Sequence, residues 1–323
     1  MRCRAYSIYS YAPVTTARRS TAGFTGLEAG AEGPFAKTSK SSYLIYYRYS
    51  LLGLLGKIGL NFGTGNATPR YQDLTLKLNF PMAIGHTISV FGIAGTNGTR
   101  FDNMGSAYSD AGSYNDYRTA MGVLGATYGA RLTPCTTLHL TMALTGTRVN
   151  NRYDTLGPDK NRYLNYQDNS HYVKATTHAQ LTRRYTARSS LLAGAIVSAY
   201  RFSFHDSTRT RAGLRPLRNT NAPTQTYQAY VQWHYAPTHR LTLNAGLHVT
   251  QLSLTGHGVA EPRLGLQYVL TPGATLSFGL GNYSRWQDWM LYFNEQTADN
   301  QAKLLPNTAL GFSKSRQLVL GWT

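Results

Sequence analysis

Between Arg240 and Leu252 the chain reads RLTLNAGLHVTQL, and apolar and polar positions alternate almost without a break. Leu241, Leu243, Ala245, Leu247 and Val249 share one face of an extended segment, while Thr242, Asn244, Gly246, His248 and Thr250 share the other. A period of two predicts a β-strand. The preceding YQAYVQWHY alternates in the same way, with Tyr227, Ala229, Val231, Trp233 and Tyr235 on one face. Between the two lies APTH, a turn in which Pro237 blocks further pairing. The unit recurs with turns near Pro81–Gly85, at Pro134, around Thr186–Arg188 and at Pro272–Gly273. All-β structure built from antiparallel hairpins follows.

Longer polar stretches separate these units, at about Asn97–Tyr117, Thr147–His171, Asp206–Thr224 and Ser284–Ser313. Short turns alternating with long loops are the organisation of an outer-membrane barrel, with tight turns on the inner side and extended outer loops. Length points the same way. Leu241 to Gln251 covers roughly 33 Å at ~3.3 Å per residue, and about 25 Å of height once tilted. That is the apolar band of such a barrel, and sandwich strands of ~5–6 residues would be shorter. Glu28, Glu32, Lys77 and Arg201 are expected opposite the apolar row, as a wet lumen requires, although a solvated face would accept them too. Tyr43, Tyr46, Tyr47 and Tyr49 crowd one strand, and Trp286, Trp289, Tyr292 and Phe293 crowd another segment. Both groups read as a membrane-boundary girdle or as packing within the sheet.

Composition narrows the picture. No run of ~18 apolar residues exists, so no transmembrane helix is predicted. The first twenty residues carry charge but no continuous apolar core of a secretory signal. Cys3 and Cys135 are too few for a disulfide framework, and no Cys/His spacing suggests a metal site. The net charge of +18 raises nucleic acid as a partner, but the basic residues are dispersed over turns and loops without a binding motif. A solvated rim or contact with anionic lipid headgroups is the better reading, and no nucleic-acid partner is expected.

From about Thr21 onward the chain resembles the barrel of TonB-dependent outer-membrane receptors, of the type found in Bacteroidetes. The resemblance rests on GFTGLEAGAEGPF (23–35), SYLIYYRYSLLGLL (42–55), FGTGNATPRYQDLTLKLNFP (62–81), EPRLGLQY (261–268) and PNTALGFSKSRQLVLGW (306–322). It implies an antiparallel transmembrane β-barrel in the cell outer membrane, working in energised nutrient uptake with a plug domain and the TonB complex. Here the resemblance covers 21–323 as one partial barrel domain, with 1–20 an unrecognised segment, read as a spurious start. About 13 strands are expected where such a barrel has about 22, with no plug expected ahead of them. The expectation is a fragment that does not transport alone. The rival readings are a passive structural or adhesive barrel, and a secreted β-protein binding anionic ligands through basic loops.

No enzyme chemistry emerges. The glycines at Gly63–Gly65 lack the third glycine and the helix of a dinucleotide site. His205–Asp206 is one adjacent pair without the partners of an acid/base site. Asp102, Asp110 and Asp116 lack calcium-loop spacing and read as solvated acids. Neither cofactor nor metal is expected. Outer-membrane lipids are the expected surroundings, and the nutrient stays open. For ligand contact the candidates are Arg209, Arg211, Arg215 and Arg218 in one polar stretch, and Trp286, Trp289 and Tyr292 beside another. A solvated loop and a girdle are the alternative readings of the same residues.

Overall fold

The computed structural model describes residues 17–23, 26–53, 67–82, 84–103, 112–157, 159, 161–297 and 303–323. Most of the 1–20 segment, Gly63–Gly65, Asp110 and the side chain of Asp102 lie outside the described residues.

Fourteen strands form one sheet, each antiparallel to its neighbours and following chain order. They are β1 (Ala17–Gly23), β2 (Gly26–Pro34), β3 (Ser42–Ser50), β4 (Ala67–Pro81), β5 (His86–Asn103), β6 (Ser113–Thr133) and β7 (Thr136–Leu156). Then follow β8 (Arg162–Thr186), β9 (Ser189–Thr210), β10 (Gly213–Tyr235), β11 (Leu241–Leu252), β12 (Gly258–Thr271), β13 (Ala274–Arg285) and β16 (Ser313–Trp322). The small strands β14 (Gln296–Thr297) and β15 (Lys303–Leu304) pair only with each other. The sheet thus has one strand more than the sequence suggested.

The inner turns lie where the sequence placed them, and three share a device. Thr133 Oγ1 accepts from the backbone N–H of Cys135 at 3.3 Å, and Thr186 Oγ1 from that of Arg188 at 3.1 Å. Thr238 Oγ1 accepts from Arg240 and Leu241, at 3.2 and 3.0 Å. A threonine that satisfies donors two or three residues on closes a turn locally. At the β4–β5 turn Gly85 takes φ +85°, a left-handed conformation that costs glycine little. Cys135 is disulfide-bonded, a role the sequence had not suggested.

The register settles what the alternation means. Tracing partners from strand to strand puts Leu74, Val90, Leu124, Met142, Ala175, Val197, Val231, Leu247, Leu264, Leu280 and Leu318 on one face. Among the described residues nothing packs over this face: Leu124 is 59% exposed, Met142 64% and Leu318 64%. A sandwich would bury such a row against a second layer. An uncovered apolar face one strand-length high belongs in hydrocarbon. The opposite face carries Glu28, Arg48, Asp73, Lys77, His178, Gln228, His248 and Glu261. Many of these pair with each other, as in Arg48–Asp73 at 2.8 Å and His248–Glu261 at 3.0 Å.

Two expectations need correction. Arg201 does not oppose the apolar face. It pairs with Val173 and Pro223 on the outward side, a little beyond Ala199, where the apolar band ends. Polar stretches 97–117, 147–171 and 206–224 are mostly paired strand rather than loop. Asn97 pairs with Thr119, Thr147 with Tyr172, and Arg209 with Leu214. Beyond the membrane both faces of a hairpin meet water, so the hydrogen-bond ladder continues while the hydrophobic period that marks it disappears. The 284–313 stretch does leave the sheet.

Pro216 and Pro223 sit inside β10 although proline cannot donate to a ladder. Pairing of β10 with β11 stops at Thr226–Leu252, so above that point no strand pairs with this edge of β10 and the missing N–H is tolerated. A bulge between Pro216 and Arg218 shifts the register there.

Candidate functional site: the outer mouth

Beyond the end of the apolar band, β9 turns a row of aromatic side chains to the polar face. Tyr200, Phe202 and Phe204 are 6%, 0% and 2% exposed, between Ser198 and Asp206 on the same face. What covers them is the segment between β13 and β16. Asp288 caps a four-residue helix, α1 (Trp289–Tyr292), by accepting from the Met290 N–H at 2.9 Å. The turn aims Trp289 at Tyr200 and Phe202, with ring centroids 4.8 and 4.9 Å away. Phe293 reaches Phe202 and Phe204 at 5.5 and 5.7 Å. Tyr292 is fully buried, and its hydroxyl accepts from the Gln287 N–H at 3.1 Å. Tilted ring pairs at these separations add to the area they bury.

Polar ties hold the same segment to β10. The Glu295 N–H donates to the Leu217 carbonyl at 3.0 Å, made available by the bulge. Glu295 Oε1 accepts from Thr220 Oγ1 at 3.1 Å and from the Asn219 N–H. Arg218 donates through Nε to Asp206 Oδ1 at 2.8 Å and through Nη1 to the Met290 carbonyl at 3.5 Å. The Asp206 side chain is wholly buried and that of Arg218 is 16% exposed, so the pair is an internal one. Next to it on β8, Asp168 is held above the ordinary carboxylate range by burial, with Asp206 adding to the effect and the Ser170 hydroxyl opposing it. Burial and the two nearby carboxylates push the Tyr166 phenol up to about 12. Such a cluster fixes the geometry of the mouth; it does not present a reactive group.

The candidates from sequence therefore divide. Trp286, Trp289 and Tyr292 belong to one internal aromatic cluster rather than a girdle. Arg218 is spent on Asp206. Arg209 is exposed and donates to the Leu164 carbonyl at 2.6 Å. Arg211 and Arg215 are exposed at the tip of the β9–β10 hairpin. His205 and Asp206 point to opposite faces, as neighbours in a strand must, and His205 Nδ1 lies 2.8 Å from Asn219 Oδ1 instead. Asp116 lies between Arg100 and Arg118, at 3.0 and 2.6 Å, and its carboxyl is held below the usual range chiefly by the hydrogen bond from Arg118. Among the described residues no group of three His, Cys, Asp or Glu could hold a metal ion. Sequence reasoning missed Tyr200, Phe202, Phe204, Asp206 and Glu295 as parts of the mouth. The signal was present in AYRFSF, where the apolar row changes face after Ala199.

An uncovered apolar band, a polar opposite face and long hairpins on one side define an outer-membrane β-barrel wall. The chain belongs to the family described as TonB dependent receptor-like, beta-barrel, whose model matches residues 9–323. That is a family of outer-membrane receptors and transporters. In fold it is similar to the ferric enterobactin receptor PfeA of Pseudomonas aeruginosa, with a TM-score of 0.64 and 13% identity over 95% of this chain and 50% of that one. It is also similar to the siderophore receptor PirA of Acinetobacter baumannii, with a TM-score of 0.62 and 14% identity over 95% and 49% of the two chains. FpvA of P. aeruginosa, in a complex with iron and a heterologous pyoverdine, gives 0.68 and 11% over 92% and 44%. The chain spans about half the length of these receptors. No curated protein matches it by sequence.

Proposed function

We propose that the chain supplies part of the wall and the outer mouth of a TonB-dependent receptor of the Bacteroidetes type, one that takes up a scarce nutrient through a plug and the TonB complex. The observation that carries the reading is the combination of a family match over nearly the whole chain with a mouth built on the polar side of the wall. In this reading the aromatic cluster is the rigid floor of the mouth, and Arg211 and Arg215 make first contact with an anionic cargo. Trp286 and Trp289 line the way inward beneath them. A ferric chelate is the favoured cargo class, because the similar solved structures are titled as siderophore receptors and because the exposed tip is basic. The two sheet edges, β1 and β16, each pair on one side only among the described residues, and unpaired backbone groups are costly in hydrocarbon. The wall therefore needs further strands, and the isolated chain is not transport-competent.

Two measurements test this. Liposomes containing the purified chain should show no substrate-specific flux, and such flux would overturn the fragment reading. In detergent, an anionic ferric catecholate should quench the fluorescence of Trp286 and Trp289. The R211E/R215E variant should weaken that quenching about tenfold. Equal quenching by a neutral chelate, or none at all, removes the cargo assignment.

A further inference from the structure

The foot of β8 to β11, at the opposite end of the wall from the mouth, carries a basic surface. Arg188 lies in the β8–β9 turn and Arg240 in the β10–β11 turn, immediately before Ser189 and Leu241, the first paired residues of the strands that follow. Contacts between the two turns bring them to one place. Arg188 donates through Nη1 to the Pro237 carbonyl at 3.0 Å, and its Nη2 lies 3.3 Å from Nε2 of His239, the residue before Arg240. The Ala236 N–H joins the same turns by donating to the Arg188 carbonyl at 2.8 Å. A third arginine stands just above them on the lipid side: Arg183 is the direct partner of Leu191, which pairs in turn with Trp233. Its guanidinium carbon lies 5.2 Å from the ring centroid of Tyr185, two residues nearer the turn, so its charge leans away from the apolar band.

All three arginines are exposed, and among the described residues none has a carboxylate within salt-bridge distance. From β8 to β11 the sequence holds two carboxylates, Asp168 and Asp206, and these are direct partners at the mouth. Guanidiniums gathered without a counter-ion favour an anion from outside the chain, and their planar donor sets suit a phosphate. The surrounding side chains say where that anion comes from. Trp233 and Tyr235 stack on the lipid side with ring centroids 5.1 Å apart, and Trp233 Nε1 donates to Ser189 Oγ at 3.0 Å. Amphipathic rings with a polar tie belong at the boundary between headgroups and hydrocarbon. One row further into the band come Leu181, Ala193 and Val231, direct partners in one line. From turn to band the order is therefore guanidinium, aromatic ring, aliphatic side chain. A phospholipid in the adjoining leaflet presents phosphate, ester and acyl chain in that same order.

We propose that the foot of β8 to β11 binds an acidic phospholipid of the inner leaflet: the phosphate lies at Arg188 and Arg240, the ester region meets Arg183 and the Trp233–Tyr235 pair, and the acyl chains lie along Leu181 and Val231. The surface rests on the outer-membrane placement of the wall but on neither the cargo nor the completeness of the barrel. Titrating the full chain in non-ionic detergent with phosphatidylglycerol under native mass spectrometry tests the idea. The comparison probes are phosphatidylcholine with the same acyl chains, glycerol 3-phosphate and a polyglutamate peptide. Phosphatidylglycerol should be retained at least about tenfold better than phosphatidylcholine, whose headgroup carries its own cation. R188Q/R240Q should lower phosphatidylglycerol retention about tenfold and leave phosphatidylcholine unchanged. R188K/R240K keeps the charge and should restore most of the loss, whereas W233A should weaken both lipids together. K314Q/R316Q, an equal charge change at the upper end of β16, should alter neither; heat-modifiable mobility on gels shows which variants are folded. Equal retention of the two lipids, undiminished retention by R188Q/R240Q, or an equal loss in K314Q/R316Q would each overturn the surface. A lysine variant as weak as the glutamine one would trace the loss to the structure of the turns and overturn it too. Displacement by glycerol 3-phosphate would leave a plain anion site without a lipid. Polyglutamate binding that needs Arg188 and Arg240, with no preference between lipids, would assign the foot to an acidic protein instead. None of these outcomes bears on ferric-chelate quenching, so the two readings stand or fall separately.

Discussion

The band of the wall that meets lipid and the mouth above it bury opposite things. In the band, large apolar side chains stay uncovered: Leu247 is 43% exposed and Leu280 49%. Their stabilisation comes from the surroundings, because hydrocarbon accepts them and water does not. At the mouth, Phe202, Leu252 and Tyr292 are fully enclosed by the chain itself, together with the Asp206–Arg218 pair. There the surroundings are water on both sides, and structure survives only where the chain supplies its own interior. One sheet thus runs through two solvents and changes its rule of assembly where Ala199 gives way to Tyr200.

The strongest way to break the mouth while leaving the band alone is to remove one member of its internal ion pair. Asp206→Ala leaves Arg218 buried beside the Met290 carbonyl without its carboxylate, which costs about 3–5 kcal/mol. Loss of the outer segment should appear as proteolytic cleavage between 286 and 312, with the hydrogen-exchange protection of β11 unchanged. Uniform loss of protection along the strands would show that the two regions are not separable.

The band is broken by a charge. Leu247→Arg places a guanidinium at mid-height on the lipid side and should cost about 2–4 kcal/mol in urea titrations of the lipid-reconstituted chain. Gln232→Arg, at similar height but on the polar face, should cost under about 1 kcal/mol. Equal penalties for the two would mean that the polar face is no wet lumen, and the membrane orientation would have to be abandoned.

Legibility in the sequence follows the same division. The strands at β7, β10 and β11, their faces and the five inner turns could be read directly, because lipid on one side and water on the other impose a period of two and the turns announce themselves through proline, glycine and threonine. The hairpins above the band could not, since Asn97, Thr147 and Arg209 pair in strands whose two faces both meet water. Nor could the mouth. Trp286, Trp289 and Tyr292 were legible as a group of aromatics, but their partners Tyr200, Phe202 and Phe204 lie some ninety positions earlier, and no local pattern links the two. Arg218 was legible as a charge, yet its role depends on Asp206 across a hairpin and on a bulge at Leu217. Arg201 was misplaced for a related reason: the aromatic row beside it looked like a continuation of the lipid face, whereas it had already turned inward.

A smaller effect sharpens the contrast through pH. Asp168 is 7% exposed, and burial, with Asp206 adding, lifts its carboxyl above the ordinary value. Around it are the Ser170 hydroxyl on its own strand, Asp206 on β9, Arg218 on β10 and the Tyr166 phenol. An acid whose folded pKa is raised takes up protons more readily in the folded state. Its contribution to stability is therefore fully present below the ordinary carboxylate pKa and is lost as pH rises through the raised one. The mouth should accordingly loosen above that range while the lipid band, which holds no such group on its apolar face, does not. Asp168→Asn fixes the neutral form: relative to the unaltered chain it should stabilise the mouth by up to about 1 kcal/mol at neutral pH and by nothing in acid. Urea titrations followed by the fluorescence of Trp286 and Trp289 at a series of pH values give the comparison directly. Two curves that stay parallel from acid to neutral would show that the Asp168 carboxyl titrates alike in the folded and the unfolded chain, its burial being offset by Arg218 and the Ser170 hydroxyl.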